Sequence, residues 1–199
     1  TEAGESDYLR CESCGYCATP EVAEFQQDIA QPTEVELPIE RVETPDKRTI
    51  EQVCEFLGVP PSKLVKTLVY QVAGGAQAEA SAARVIAARV RGDRELSEDK
   101  LKAAIGARRV EMADAATIQR VSGAPVGFAG PVGMREAHII ADEELKGERS
   151  FITGGNEADL HLRNVNWGRD FQVAQWASLR NGEPGDRCRF RDSRRRHPV

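Results

Sequence analysis

Four groups of residues in this sequence have types and spacings that could do chemistry. Cys11-Glu-Ser-Cys14-Gly-Tyr-Cys17 crowds three of the five cysteines into one short run. Thiols at that spacing, with no secretion signal ahead of them, suit metal or redox chemistry before a disulfide framework. Gly123 to Gly133 holds four glycines and two prolines and no charge. Such a backbone can approach a ligand closely and present N–H groups to it, although a tight helix-to-strand connection would read the same way. It lacks the Gly-Lys-Ser/Thr of a phosphate loop. Lys66 starts an apolar strand, where a lysine with a partly desolvated stem could contact a phosphate; a solvated lysine at a strand end is the commoner case. His161 alternates with Leu160 and Leu162, which puts it on the face opposite two apolar residues, where a lone histidine is more often structural than catalytic. Asn164, Asn166, Arg169 and Asp170 surround Trp167. No nucleophile–base pair has a characteristic spacing, and no histidine-rich metal signature occurs. A site made from these parts would position its substrate through backbone donors and let the substrate supply a reactive group.

The elements that must hold these residues can be read in order. Thr1 to Cys17 suggests a strand leading into a cysteine knuckle, Pro20 to Gln27 a short helix, and Gln31 to Glu43 an extended acidic linker. Ile50, Val53, Cys54 and Leu57 recur at helical spacing after Thr49, and Gly58 with Pro60-Pro61 ends that helix. Cys54 in it reads as a small buried hydrophobe. Ser62 to Val65 is a turn into a strand, Lys66 to Val72, whose β-branched content is high. Gly74 to Ala82 reads as a flexible loop, and Arg84 to Arg91 as the returning arm of a hairpin. After a turn at Gly92 to Leu96, Ser97 caps a helix to Ile105; Arg109 to Met112 is a strand, and Asp114 caps a helix to Val121. His138 to Ala141, Ser150 to Thr153 and Leu160 to Trp167 are further strands. The interleaving is irregular, so the expected class is α+β: a single mixed β-sheet domain flanked by helices, with a small cysteine-containing appendage made by the chain ends. The expected divisions are a connector with knuckle and linker (1–43), the main domain (44–180) and a C-terminal connector with a basic tail (181–199).

Of 199 residues, 40% are hydrophobic and 30% charged, the balance of a globular protein with one sizeable core. No apolar run approaches the roughly 20 residues needed to span a bilayer. The polar, acidic start resembles neither a signal nor a transit peptide, so a cytoplasmic, non-membrane protein is expected. Six arginines and one aspartate fall between Arg187 and Val199, so the rest of the chain carries −10 against −5 for the whole. A body that acidic binds nucleic acid poorly unaided, because phosphate attraction supplies most non-specific affinity.

Six blocks taken together go further. Gly4-Glu-Ser-Asp-Tyr8, the cysteine run, Thr44-Pro45, Leu64-Val-Lys-Thr-Leu68, Gly127-Phe-Ala-Gly-Pro131-Val-Gly133 and Asn164-Val-Asn-Trp-Gly-Arg-Asp170 occur in one order. Over about residues 4 to 186 the chain resembles the editing insertion that bacterial-type prolyl-tRNA synthetases carry between motifs 2 and 3 of their class II catalytic domain. That resemblance implies a mixed sheet shared with free-standing aminoacyl-tRNA deacylases. It also implies hydrolysis of alanine mischarged onto proline tRNA. The expected partners are the aminoacylated 3′ end of proline tRNA and the remainder of the synthetase, which this chain lacks. No cofactor is implied.

Residue by residue, the resemblance makes Lys66 the lysine that holds the terminal adenosine and its phosphate. Gly127 to Pro131, with Phe128, Ala129 and Gly130 between, becomes the loop whose backbone grips the aminoacyl end. His161 helps define the alanine pocket, and Ile50 and Val53 line it. The mechanism implied is substrate-assisted, a ribose hydroxyl helping to activate water. The family's return segment usually reads Cys-Pro-x-Cys-Gly; here Cys188 remains and Arg191 stands where its partner would be. Three or four thiolates from Cys11, Cys14, Cys17 and Cys188 could still bind zinc, but no metal is assigned to the site. Two alternatives stay open: a non-catalytic module that binds tRNA or a partner, and a deacylase of changed specificity for cysteine or serine.

Overall fold

The computed structural model describes residues 7–27, 29, 36–75 and 84–190. Two short strands, β1 (Leu9–Arg10) and β2 (Cys17–Ala18), flank the cysteine knuckle, and β3 spans Glu40–Glu43. Helix α1 (Ile50–Leu57) leads through a single 3-10 turn into β4 (Val65–Gly75), followed by β5 (Arg84–Arg91) and α2 (Glu98–Ile105). Then come β6 (Ala107–Met112), α3 (Ala115–Ser122), β7 (Ala137–Asp142), β8 (Phe151–Gly154), β9 (Leu160–Val165) and β10 (Gln175–Ala177).

The mixed sheet runs β10-β7-β5-β4-β6, with β4 antiparallel to both its neighbours and β7 parallel to β5 and β10. Strands β3, β9 and β8 make a second, antiparallel sheet instead of joining the first, so the single expected sheet is two. A parallel bridge between Leu64 and Ile152 connects them.

The buried run in β5 reflects burial on both faces. Ile86, Ala88 and Val90 pack with Tyr70, Ile140, Leu179 and Leu101 of α2. Ala87 meets Phe151, Leu162, Val165 and Phe171, while Val85 packs with Val69 and with Ile118 and Val121 of α3. Ser97 and Asp114 cap their helices as expected, accepting from Lys100 and Thr117 backbone N–H groups, and Thr49, where the first helix was expected to start, caps it by accepting from Gln52 N. In α1 the Gln52 side chain returns the bond, closing a capping box. Val53 and Cys54 then seat α1 on Leu64 and Ile152. Burying Val53 alone contributes about 1.5–3 kcal/mol.

One residue in this core is costly. Arg89 is fully buried, with its guanidinium over the rings of Phe171 (4.6 Å) and Phe151 (5.3 Å) and Nη2 donating to Thr153 Oγ1 at 3.3 Å. Its Nε and Nη1 have no hydrogen-bond partner among the described residues. Burial pushes its pKa down to about 9.

Three further expectations change. Pro20 to Gln27 is not a helix, because its backbone bonds go elsewhere: Pro20 O accepts from Gly182, Gln26 N donates to Arg187 O, and Phe25 bridges Cys188. Glu40–Glu43, read as linker, is a strand of the second sheet; residues 31–35 of that linker lie outside the described residues. Gly74 and Gly75 belong to β4; the remainder of the expected Gly74–Ala82 loop and the basic tail from 191 lie outside the described residues. Strand β10 was not anticipated; it adds to the sheet edge beside β7.

The segment around Glu21 and Phe25 docks on the body. Ser97 Oγ donates to Glu21 O, and the cations of Lys100 and Arg180 lie over the Phe25 ring at 4.4 and 4.0 Å. No helix among the described residues is long and apolar enough to cross a membrane.

Candidate functional site

Strand β6 pairs with β4 only from Tyr70 onward, and Ala113 N reaches Val69 O, so the Val65–Leu68 edge of β4 is left uncovered by β6. A cavity of about 410 Å³ occupies that gap. One wall is α1, through Ile50 and Val53; opposite it stand Gly127 and Ala129 of the glycine-rich loop, and the floor includes Thr153, Gly154 and His161.

Lys66 stands at this cavity with its side chain 19% exposed, and Nζ donates to Glu95 Oε1 at 2.9 Å. The Glu95 carboxylate is 78% exposed, so the pair is solvent-screened and exchangeable. Glu51 also lines the cavity. Its own backbone N–H and the Thr49 hydroxyl hold its carboxyl below the usual range, the Lys66 charge contributing least.

His161 is buried on β9, its Nδ1 2.7 Å from Thr44 Oγ1 and its ring edge-on to Phe128 at 6.2 Å. Burial pushes its pKa below the ordinary value, so the imidazole is neutral at pH 7. With Nδ1 engaged by Thr44, Nε2 is the nitrogen left for the cavity.

The glycine-rich loop is fixed by a close backbone contact. A Cβ at Gly130 would sit 1.8 Å from Gly154 O, and one at Gly154 would sit 2.4 Å from Phe128 O, so only glycine fits either position. Asn156 then clamps the loop three ways: its N–H donates to Phe128 O, its Oδ1 accepts from Gly130 N, and its Nδ2 donates to Val132 O. Gly127, at φ +98°, turns the chain toward the cavity mouth.

Six of the nine expected residues line this cavity: Ile50, Val53, Lys66, Gly127, Ala129 and His161. The other three stand behind it. Phe128 is buried under the loop, Gly130 packs on Gly154, and Pro131 is buried. Because Asn156 takes the Gly130 N–H, that amide is not a donor for a ligand. Thr44, Glu95, Thr153, Gly154 and Asn156 were missed. The Gly154-Gly155-Asn156 run signals a turn, but nothing in sequence ties it to a loop 26 residues earlier.

The asparagine–tryptophan segment is structural. Asn166 Oδ1 accepts from Ser150 N, and Asp170 accepts from Asn166 N and pairs with Arg169. The cysteines divide: Cys11, Cys14 and Cys188 converge, whereas Cys17 is exposed on β2 outside the group.

The aminoacyl-tRNA editing domain family matches residues 44–171, a span that contains every wall of this cavity. This chain belongs to that family. The editing domain is 47% identical over 190 residues to the proline–tRNA ligase of Geobacter metallireducens, covering 94% of this chain and 31% of that protein. It is 43% identical over 185 residues to the enzyme of Thermotoga maritima, covering 93% and 30%. The editing domain therefore spans about a third of the length of these relatives. Its fold is shared with a solved structure described as a candidate trans-editing enzyme for prolyl tRNA synthetase. The TM-score is 0.57 and the identity 21%, over 72% of this chain and 87% of the other.

Proposed function

We propose that this domain hydrolyses the ester of alanine mischarged onto proline tRNA, as the editing part of a proline–tRNA ligase. The observation that carries the reading is the cavity on which an apolar helix face, Lys66, the glycine-rich loop and a neutral His161 meet. A synthetic pocket sized for proline rejects the smaller alanine weakly, since each missing methylene is worth only about 1–3 kcal/mol. A second site that admits alanine and excludes proline removes the error by size.

In this reading Ile50 and Val53 close the pocket around a methyl-sized side chain. Lys66 exchanges Glu95 for the phosphate or ribose of the terminal adenosine, a charge-assisted contact. The Gly127–Ala129 backbone borders the ester, and His161 presents Nε2 to the aminoacyl group. The cavity walls offer no nucleophile–base pair, which suits a water activated by the ribose hydroxyl of the substrate itself. Water adds to the ester carbonyl, and the tetrahedral adduct expels the ribose oxygen, giving free alanine and uncharged tRNA.

The acidic body fits delivery of the tRNA by the rest of the ligase, in the cytoplasm where tRNA is charged. The test is a deacylation assay on alanyl- and prolyl-charged proline tRNA, in which only the alanyl ester should be cleaved.

A further inference from the structure

We propose that Cys11, Cys14 and Cys188 form a zinc site that ties the entry and exit of the chain together. Their sulfurs lie within 4.8 Å of one another, and Cys14 Sγ is 3.6 Å from Cys188 Sγ across 174 residues of sequence. Sulfurs bound to one zinc ion at about 2.3 Å in a tetrahedron stand about 3.8 Å apart, so the thiols are already at ligand spacing.

The surrounding backbone holds the cysteines in place. Gly15, at φ +74°, lets the chain turn back so that its N–H reaches Cys11 O, while Cys11 N reaches Tyr16 O. The result is a closed knuckle bounded by β1 and β2. Around Cys188 the return segment is held independently of any metal. Phe25 bridges Cys188, Gln26 donates to Arg187 O, and the Tyr16 and Phe190 rings meet at 4.9 Å.

Three soft sulfur donors select zinc over magnesium or calcium, which prefer oxygen. The sequence places Arg191, not a cysteine, three residues after Cys188. The fourth coordination position therefore falls to water. A hollow of about 570 Å³ lined by Cys11, Ser13 and Cys188 gives solvent that access. The ion would clip the ends of the domain side by side, fixing the direction in which the polypeptide enters and leaves it.

The experiment uses chelator-stripped chain under reductant, titrated with zinc and with cobalt as its coloured substitute. One ion per chain is expected, with a sulfur-to-cobalt charge-transfer band that zinc abolishes. Alkylation of the unmutated chain should spare Cys11, Cys14 and Cys188 when metal is present and modify Cys17 whether or not it is. Cys188→Ser should weaken binding by at least about tenfold, the cost of losing even an outer-shell partner. Cys17→Ser should bind as the parent does. Absence of the band, equal loss in Cys17→Ser, or unchanged alkylation with metal would overturn the proposal. So would a Cys14–Cys188 disulfide that persists in reductant, or iron with inorganic sulfide bound in place of zinc.

Discussion

Thr44 Oγ1 and His161 Nδ1 meet at 2.7 Å inside the protein, joining the residue that follows β3 to the start of β9. The contact fixes which imidazole nitrogen faces the cavity, and burial keeps the ring neutral. The folded protein therefore holds a proton on His161 less tightly than the unfolded chain does. The resulting stability is complete above about pH 6.5 and is lost as pH falls through the depressed folded value. Deacylation should weaken over the same acidic limb. Thr44→Val leaves Nδ1 buried without a partner and should cost about 1–3 kcal/mol, read by denaturant unfolding. A variant as stable as the parent, with an unchanged pH profile, would make the contact incidental.

Lys66→Ala should lower deacylation efficiency roughly 10- to 150-fold, the loss of a charge-assisted contact worth about 1.5–3 kcal/mol. The melting temperature should barely move, because the ammonium pairs with the exposed Glu95 carboxylate. Lys66→Arg should rescue in part, a wide fork replacing a compact ammonium. Single-turnover rates beside thermal melts decide; a parental rate in Lys66→Ala would reduce the residue to a solvated lysine.

Ile50→Ala removes three carbons from the α1 wall of the cavity. Aminoacyl groups larger than alanine should then gain on alanine by about 1–3 kcal/mol of discrimination. The readout is the ratio of deacylation rates for alanyl- and prolyl-tRNA. A lower melting point with an unaltered ratio would assign Ile50 to the core alone.

Arg89→Met should raise the melting temperature. A buried guanidinium with two unpartnered nitrogens costs more in lost hydration than its Thr153 bond and ring contacts return. A gain of about 1–2 kcal/mol is expected by denaturant unfolding, and a destabilised variant would mean that the ring contacts outweigh desolvation.

Much of this was legible because local chemistry fixes it. The capping residues Thr49, Ser97 and Asp114 mark where the helices start, and the β-branched content of Lys66–Val72 shows a strand. Motif order carried the site, since Ile50, Lys66, Gly127 and His161 are far apart in sequence and only the resemblance joins them. What stayed hidden depends on long-range pairing. Glu40–Glu43 reads as acidic linker because its partner, β9, lies more than a hundred residues on. Asn156 looks like an ordinary turn residue until the fold sets it against Gly130. Pro20–Gln27 has helix-compatible residues, yet its backbone groups are claimed by the segment around Arg187.

The central claim is selective hydrolysis of alanine from proline tRNA, and single-turnover deacylation of alanyl- and prolyl-tRNA measures it most directly. Because the chain spans only about a third of its relatives, the measurement should be made on the domain alone and on the domain joined to a ligase body. The alanyl ester should be cleaved and the prolyl ester spared in both, with a higher apparent rate in the joined form from effective concentration. Equal cleavage of the two esters, or cleavage of neither in the joined form, would contradict the account.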